Sequence, residues 1–317
     1  MWKWRFKRGL FLKDDDVTIK KIININVEEN DLRKGGILLF KNNWFIDFWN
    51  KRIVEYVVSR QNEDGGYTFC QGTESNVQDT YYGLAILDLL NVSFPNIEKT
   101  IEWLHGFIPD TLYSHYYVAK ALDLCGEKPD KESLKNFILS LPVVNGKFEP
   151  INTYIEVASE FLSIFMTIEL VNIACMEVNR EKIIDWLLNF KNNDGGFGVY
   201  GYSNLNSTYY AVASLFNLGY PVKSLKETLA YVRACEKPYG GFSAVPNSSS
   251  IFMEHIYYGV ETLNLLDESL RYPKQTVEFI LKCQNANGGF ARSHIGISTF
   301  EDTFYAVSII QKIVGRG

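Results

Sequence analysis

A Gly-Gly-aromatic triplet occurs four times in the 317-residue chain, as Gly65-Gly66-Tyr67, Gly195-Gly196-Phe197, Gly240-Gly241-Phe242 and Gly288-Gly289-Phe290. The last three are separated by 45 and 48 residues, a period that marks a repeat architecture. Three of the four follow a polar cluster: Gln61-Asn62-Glu63-Asp64, Lys191-Asn192-Asn193-Asp194 and Gln284-Asn285-Ala286-Asn287. Such clusters are turn chemistry, with paired glycines free to take a positive φ.

Each turn is flanked by helical patterns. Upstream, stretches such as Ile53-Val54-Glu55-Tyr56-Val57-Val58 and Ile183-Ile184-Asp185-Trp186-Leu187-Leu188 place apolar residues at helical spacing. Downstream, a second helix starts in near-identical form at Asp79-Thr80-Tyr81-Tyr82-Gly83, Ser207-Thr208-Tyr209-Tyr210-Ala211 and Asp302-Thr303-Phe304-Tyr305-Ala306. Asp, Ser and Thr suit a helix N-terminus, where they accept from free backbone N–H groups. Two weaker units, carrying His115-Tyr116-Tyr117-Val118 and Asn145-Gly146-Lys147-Phe148, fill the interval from 90 to 180. The second helices are apolar along their length, as in Ala211-Val212-Ala213-Ser214-Leu215-Phe216, and the first are more amphipathic. The expectation is an all-α fold, an α/α toroid of six helical hairpins in two concentric rings over residues 42–317.

Residues 1–41 break the pattern. Trp2, Trp4 and Phe6 alternate with Lys3, Arg5 and Lys7, then comes Asp14-Asp15-Asp16 and a β-branched stretch to Val27. This N-terminal extension reads as short strands, either an edge packed on the ring or a membrane-surface contact.

Composition narrows the function classes. The chain is 46% apolar and 15% aromatic, enough to bury a wide core and still line a cavity with rings. A net charge of −5 gives no general reason to bind nucleic acid. Five widely spaced cysteines without a CxxC pair read as reduced thiols, and with no signal-like or spanning segment the expected location is cytoplasmic.

On its glycine turns and Asp-Thr-Tyr-Tyr helix starts the chain resembles the prenyltransferase and squalene-cyclase repeat family, the β subunits of protein prenyltransferases in particular. The resemblance implies an enzyme that binds an isoprenoid or isoprenoid diphosphate in a central aromatic cavity, with zinc as cofactor and a helical α subunit as partner. In those β subunits an Asp-x-Cys and a His hold the zinc. Phe252, Glu254 and Asp302 stand at the corresponding positions here, and the neutral stretch Val245 to Ser250 replaces the family's diphosphate-binding cations. Transfer is therefore expected to proceed without the usual zinc triad.

Class II terpene cyclases of the same fold use an Asp-x-Asp-Asp motif, whose nearest counterparts are Asn76-Val77-Gln78-Asp79 and Thr299-Phe300-Glu301-Asp302. Glu301 would be the acid, its pKa raised by Asp302. Asp79 and Asp302 also read as helix caps. The candidate catalytic residues are Glu301, Asp302, Asp79 and Glu254, and the candidate substrate-binding residues are Tyr82, Tyr210, His255, Tyr258 and Tyr305. Glu254, His255 and Asp302 are alternative metal ligands, although adjacent residues on one helix point about 100° apart. Recurring pairs such as Tyr81-Tyr82, Tyr116-Tyr117 and Tyr257-Tyr258 suit either an isoprenoid-binding belt or helix packing. A non-catalytic toroid that carries a lipid or docks a partner is the remaining reading.

Overall fold

The computed structural model describes residues 43–141, 143–144, 147–148 and 160–315, so the N-terminal extension lies outside the described residues. Among these, twelve α-helices follow one another as six pairs: α1 (Asn43–Val58) and α2 (Val77–Leu89), α3 (Ile97–Gly106) and α4 (Leu112–Leu124), α5 (Lys131–Ser140) and α6 (Glu160–Ala174), α7 (Arg180–Leu188) and α8 (Leu205–Asn217), α9 (Lys226–Cys235) and α10 (Met253–Leu265), α11 (Pro273–Lys282) and α12 (Phe300–Gly315). Two small hairpins, Val143–Val144 with Lys147–Phe148 and Phe290–Ala291 with Ser298–Thr299, are its only described sheets.

The even-numbered helices form a closed inner ring, in which α2 packs on α4, α4 on α6, and so on to α12, which packs back on α2. Each odd-numbered helix lies outside its own partner. Burial explains the sorting. In α8 ten consecutive-turn positions, from Leu205 to Leu215, are buried, whereas α7 buries Leu187 and α11 buries only Thr276, Val277 and Ile280 along one stripe. A helix apolar all round can lie only inside, and one with a single stripe belongs at the surface.

The glycine turns join the units. Each one is pinched by the same pair of backbone hydrogen bonds; in the fourth unit Asn192 N donates to Gly196 O (2.9 Å) and Gly195 N to Asn192 O (2.9 Å). The Asp194 carboxylate accepts from Gly196 N (3.0 Å). Thr208, in the first turn of α8, accepts from Phe197 N (3.0 Å) and so plants the buried aromatic under its own inner helix. Thr80 and Thr303 do the same for Tyr67 and Phe290.

Outward, the turn meets the next unit. Gly195 has φ +86°, and a Cβ there would sit 2.2 Å from Glu227 O of α9. Thr228 of α9 donates to Gly195 O (2.7 Å). At the seam between last and first units, a Cβ on Gly288 (φ +95°) would lie 2.2 Å from Arg52 O of α1, and Arg52 Nη2 donates to Asn285 O (3.1 Å) and Ala286 O (2.9 Å). The ring is thus closed by the same contact that links its interior units.

Gly288→Ala is expected to cost about 2 kcal/mol or more, because it combines a left-handed backbone with a backbone clash. Gly126→Ala, equally left-handed (φ +82°) but facing open space, should cost only about 1 kcal/mol. Urea unfolding of both variants measures the difference, and equal losses would remove the role of the seam.

Candidate functional site

All six inner helices place an aromatic residue at their fifth or sixth position, where it faces the axis. The rings contact one another in sequence around the barrel: Tyr82–Phe304 (centroids 5.3 Å), Tyr81–Tyr117 (5.5 Å), Tyr116–Phe165 (6.5 Å), Phe165–Tyr210 (5.5 Å), Tyr210–Tyr258 (5.4 Å) and Tyr257–Tyr305 (4.3 Å, stacked). The tyrosine pairs thus pack inner helix against inner helix around the axis. Phe165 is the contribution of α6, which has no Tyr-Tyr pair to announce it.

The two members of each pair differ in what their hydroxyls meet, because neighbours on a helix diverge by about 100°. The second members converge near the N-terminal end of the inner helices. Tyr82 OH lies 3.4 Å from Tyr117 OH, Tyr210 OH lies 3.1 Å from Tyr258 OH, and Tyr210 is within electrostatic reach of Tyr82, Tyr117 and Tyr305 across the axis. The first members face the opposite end. Tyr81 and Tyr116 feel Lys120 and Glu169, and Tyr209 and Tyr257 feel Glu261. There Lys120 pairs with Glu169 (3.0 Å), Asn217 donates to the other Glu169 oxygen (2.7 Å), and Lys312 pairs with Glu261. These ion pairs join residues 49 and 51 positions apart, which is why no local pattern in the sequence reveals them.

Glu301 sits at the centre of the upper group. Its Oε1 accepts from Tyr305 OH (2.7 Å) and Tyr82 OH (3.1 Å). Burial is the largest influence on it and raises its pKa, the two phenol hydrogen bonds oppose the rise, and the Glu254 and Asp79 charges add to it. Asp302, named above as the group that would raise it, is itself raised by Glu301. Burial first and the neighbouring Glu301 carboxylate second push Asp302 up to about 7, against the Thr299 hydrogen bond that lowers it.

Asp302 Oδ2 accepts from Thr299 Oγ1 (2.8 Å), and Thr299 Oγ1 in turn accepts from Asp302 N (3.0 Å). Asp79 is held in the same way: its Oδ2 accepts from Asn76 Nδ2 (2.7 Å) and from Phe69 N (3.0 Å), while Asn76 Oδ1 accepts from Asp79 N (2.8 Å). Both carboxylates brace a helix start from inside its first turn, and the cap of α2 is Asn76. This corrects the expectation that Asp79 and Asp302 are themselves the capping residues, since Asn76 and Thr299 accept the Asp79 and Asp302 amides, as Asn204 accepts that of Ser207 in α8.

Glu254 and His255 open α10. Arg292, from the loop between the two strands before α12, donates through Nε to Glu254 Oε1 (2.7 Å) and through Nη2 as well, and its guanidinium lies 4.0 Å from the Phe252 ring centroid. No local pattern announces this cation, which lies 38 residues away on a loop. His255 Nε2 lies 4.0 Å from Glu254 Oε1, nearer than helix geometry alone suggested, and its Nδ1 is buried without a partner. Burial lowers the His255 pKa, with Glu254 opposing.

The three positions that correspond to the zinc ligands do not fit a zinc ion. Phe252 has no donor atom, the Glu254 carboxylate is engaged by Arg292, and the Asp302 carboxylate is engaged by Thr299. Among the described residues no group of three or more His, Cys, Asp or Glu side chains is arranged to hold a metal.

The toroid agrees with what comparison with known proteins finds. The sequence matches the family described as Prenyltransferase alpha-alpha toroid domain over residues 13–106, 109–251 and 161–314. The chain belongs to that family. Among solved structures it is similar to Candida albicans protein geranylgeranyltransferase-I complexed with GGPP, with a TM-score of 0.68 at 15% identity over 83% of this chain and 90% of that one. It is also similar to the type II terpene cyclase MstE from Scytonema. A variant of that cyclase in complex with geranylgeranyl dihydroxybenzoate aligns with a TM-score of 0.60 at 12% identity, covering 85% of this chain and 97% of that one, and the apo enzyme with 0.59 at 13%, covering 85% and 98%. At such identities the likeness is one of fold. Comparison with the curated proteins finds no match.

The raised Asp302 carries a pH signature for this member of the toroid family. Between about pH 4 and pH 7 the folded protein retains a proton that the unfolded chain has released, so stability falls as pH rises through that window. Asp302→Asn keeps an acceptor for Thr299 without the charge. It should raise stability by about 1.5 kcal/mol at pH 5, where the unfolded carboxyl is already largely ionised, and by on the order of 4 kcal/mol at pH 8. Thermal melts at the two pH values test this, and an equal shift at both would contradict it.

Proposed function

We propose that the chain is an isoprenoid-processing enzyme in which Glu301, in place of a zinc-bound thiolate, starts the reaction by donating a proton. The observation that carries this reading is the environment of Glu301, a part-buried carboxyl whose proton affinity is raised and whose Oε1 is fixed by Tyr82 and Tyr305. A carboxyl of raised proton affinity in a ring of aromatic side chains is suited to act as general acid.

In the proposed step the Glu301 proton goes to one carbon of an isoprenoid double bond. The π pair forms the new C–H bond, and the other carbon becomes a carbenium ion while Glu301 becomes carboxylate. A neighbouring double bond supplies the pair that closes the ring. The faces of Tyr81, Tyr257 and Phe165 stabilise the moving positive charge by cation–π attraction. Loss of a proton from carbon to water ends the reaction, and water returns a proton to Glu301. The sum is an isomerisation that leaves any diphosphate on the chain.

Asp79 and Asp302 serve in this scheme by holding the helix starts, and the Glu254 and Asp79 charges oppose ionisation of Glu301. In this scheme Tyr210, Tyr258 and His255 contact the substrate. The similarity to the MstE type II cyclase over nearly its whole length supports the scheme. A second reading, prenyl transfer to an acceptor with a helical α subunit in the cytoplasm, draws support from the higher TM-score to geranylgeranyltransferase-I.

The two differ in the fate of the diphosphate. Incubation with geranylgeranyl diphosphate, followed by mass spectrometry of the products and assay of free diphosphate, should give a cyclised product with the diphosphate retained. Glu301→Gln, which preserves the acceptor for both phenols, should lower the rate by on the order of a hundredfold or more. Released diphosphate with a prenylated acceptor would instead support transfer, and binding without turnover would support a carrier. Full activity of the Gln variant overturns the acid role.

A further inference from the structure

Ten large apolar side chains are exposed among the described residues, and six of them fall on three neighbouring stretches of the rim: Tyr200 and Tyr202 before α8, Tyr239 and Val245 before α10, and Ile295 and Ile297 before α12. They project strongly, with Tyr200 93% exposed, Ile295 81%, Tyr202 80% and Ile297 72%. The three loops are tied edge to edge. Leu205 N, at the start of α8, donates to Ala244 O (2.8 Å), and Met253 N, at the start of α10, donates to Arg292 O (2.9 Å). They therefore make one continuous arc, at the end of the ring where the inner helices begin and where Glu301 and Glu254 lie.

Tyr200 has φ 54°, a left-handed backbone that a bulky side chain adopts at a cost of about 1–3 kcal/mol. No buried contact of its own offsets that cost. The charge pattern is equally uneven. Residues 198–204, 243–252 and 291–299 contain no Asp or Glu, although the chain as a whole carries a net charge of −5. The charged side chain within these stretches is Arg292, and Lys237 stands beside them, donating to Pro246 O. In the first unit the corresponding loop differs: Cys70, Gln71, Thr73 and Glu74 occupy its exposed positions.

We propose that this arc is a docking surface for an anionic lipid bilayer. Exposed Ile side chains supply apolar surface for the acyl boundary, and Tyr supplies rings with a polar end suited to headgroup depth. The absence of Asp and Glu from the three stretches lowers the repulsion that the rest of this acidic protein would meet at an anionic surface, Arg292 covers the Glu254 charge beside them, and Lys237 adds attraction. Docking there turns the Glu301 end of the axis toward the membrane. A substrate of isoprenoid character would then enter from the lipid without crossing water. The surface proposal stands on the rim and does not depend on which reaction Glu301 performs.

The test is flotation of the full-length protein with vesicles of phosphatidylglycerol in phosphatidylcholine, beside vesicles of phosphatidylcholine alone. The wild type should float with the anionic vesicles, and less with the zwitterionic ones. The quadruple variant Tyr200→Ser, Tyr202→Ser, Ile295→Ser, Ile297→Ser alters only exposed side chains, so its melting temperature should match the wild type while its partition falls by about tenfold. Equal flotation of the two proteins would mean that another part of the chain, such as the N-terminal extension, binds the vesicles, and would overturn the proposal. So would failure of the wild type to float. A wild-type dimer in light scattering that the quadruple variant converts to monomer would assign the arc to a second copy of the chain instead.

Discussion

The close approach of a glycine backbone to the next outer helix is the contact on which the ring depends. At Gly195 and Gly288 the neighbouring carbonyl occupies the space that any side chain would need, and the turn cannot retreat because Thr208 and Thr303 hold the following aromatic residue under the inner helix. One residue thus sets the distance between successive units, and the aromatic after it sets the angle. Because the last turn meets α1 in the same way, the repeat closes instead of continuing as an open superhelix.

Closure has a chemical consequence. Six parallel inner helices with equivalent aromatic positions must bring those side chains together at the axis, where the ring is narrowest. Tyrosine is long enough for its hydroxyl to reach its counterparts there, so the centre is lined with phenol groups as well as ring faces. Two polar regions result, one around Glu301 and one around the Lys120–Glu169 and Lys312–Glu261 pairs. A carboxyl in the first of these is largely removed from water and faces other carboxylates, which raises its proton affinity against the pull of its two phenol donors. The framework is shared with family members of different activity, so the chemistry of this one rests on side chains added to the ring.

Much of the ring was legible because its determinants are local. The Gly-Gly-aromatic triplets, the apolar second helices and the weaker units near His115 and Lys147 each report on a few adjacent residues. The convergence of Asp79, Glu254, Glu301 and Asp302 at one end followed from their equivalent positions at helix starts. Phe165 escaped notice because its unit lacks the repeated pair, and Arg292 because its loop conformation depends on contacts with a different unit. The capping roles read for Asp79 and Asp302 lie three residues earlier, since Asn76 and Thr299 accept the Asp79 and Asp302 amides, and the Asp79 carboxylate takes the Phe69 amide of the loop above.

By itself the sequence determined an all-helical repeat, the sorting of its helices into inner and outer, and the loss of the family's zinc ligands at Phe252, Glu254 and Asp302. These depend on periodicity and on residue identity, which do not change with distance along the chain. Only the tertiary structure decided what each carboxylate does. Glu254 became the partner of Arg292, Asp302 a helix brace with a pKa of about 7, and Glu301 a buried acid between Tyr82 and Tyr305. The reason is that a carboxylate takes its character from burial and from donors within a few ångströms, and closing the ring is what brings Tyr82 within reach of a residue 219 positions away.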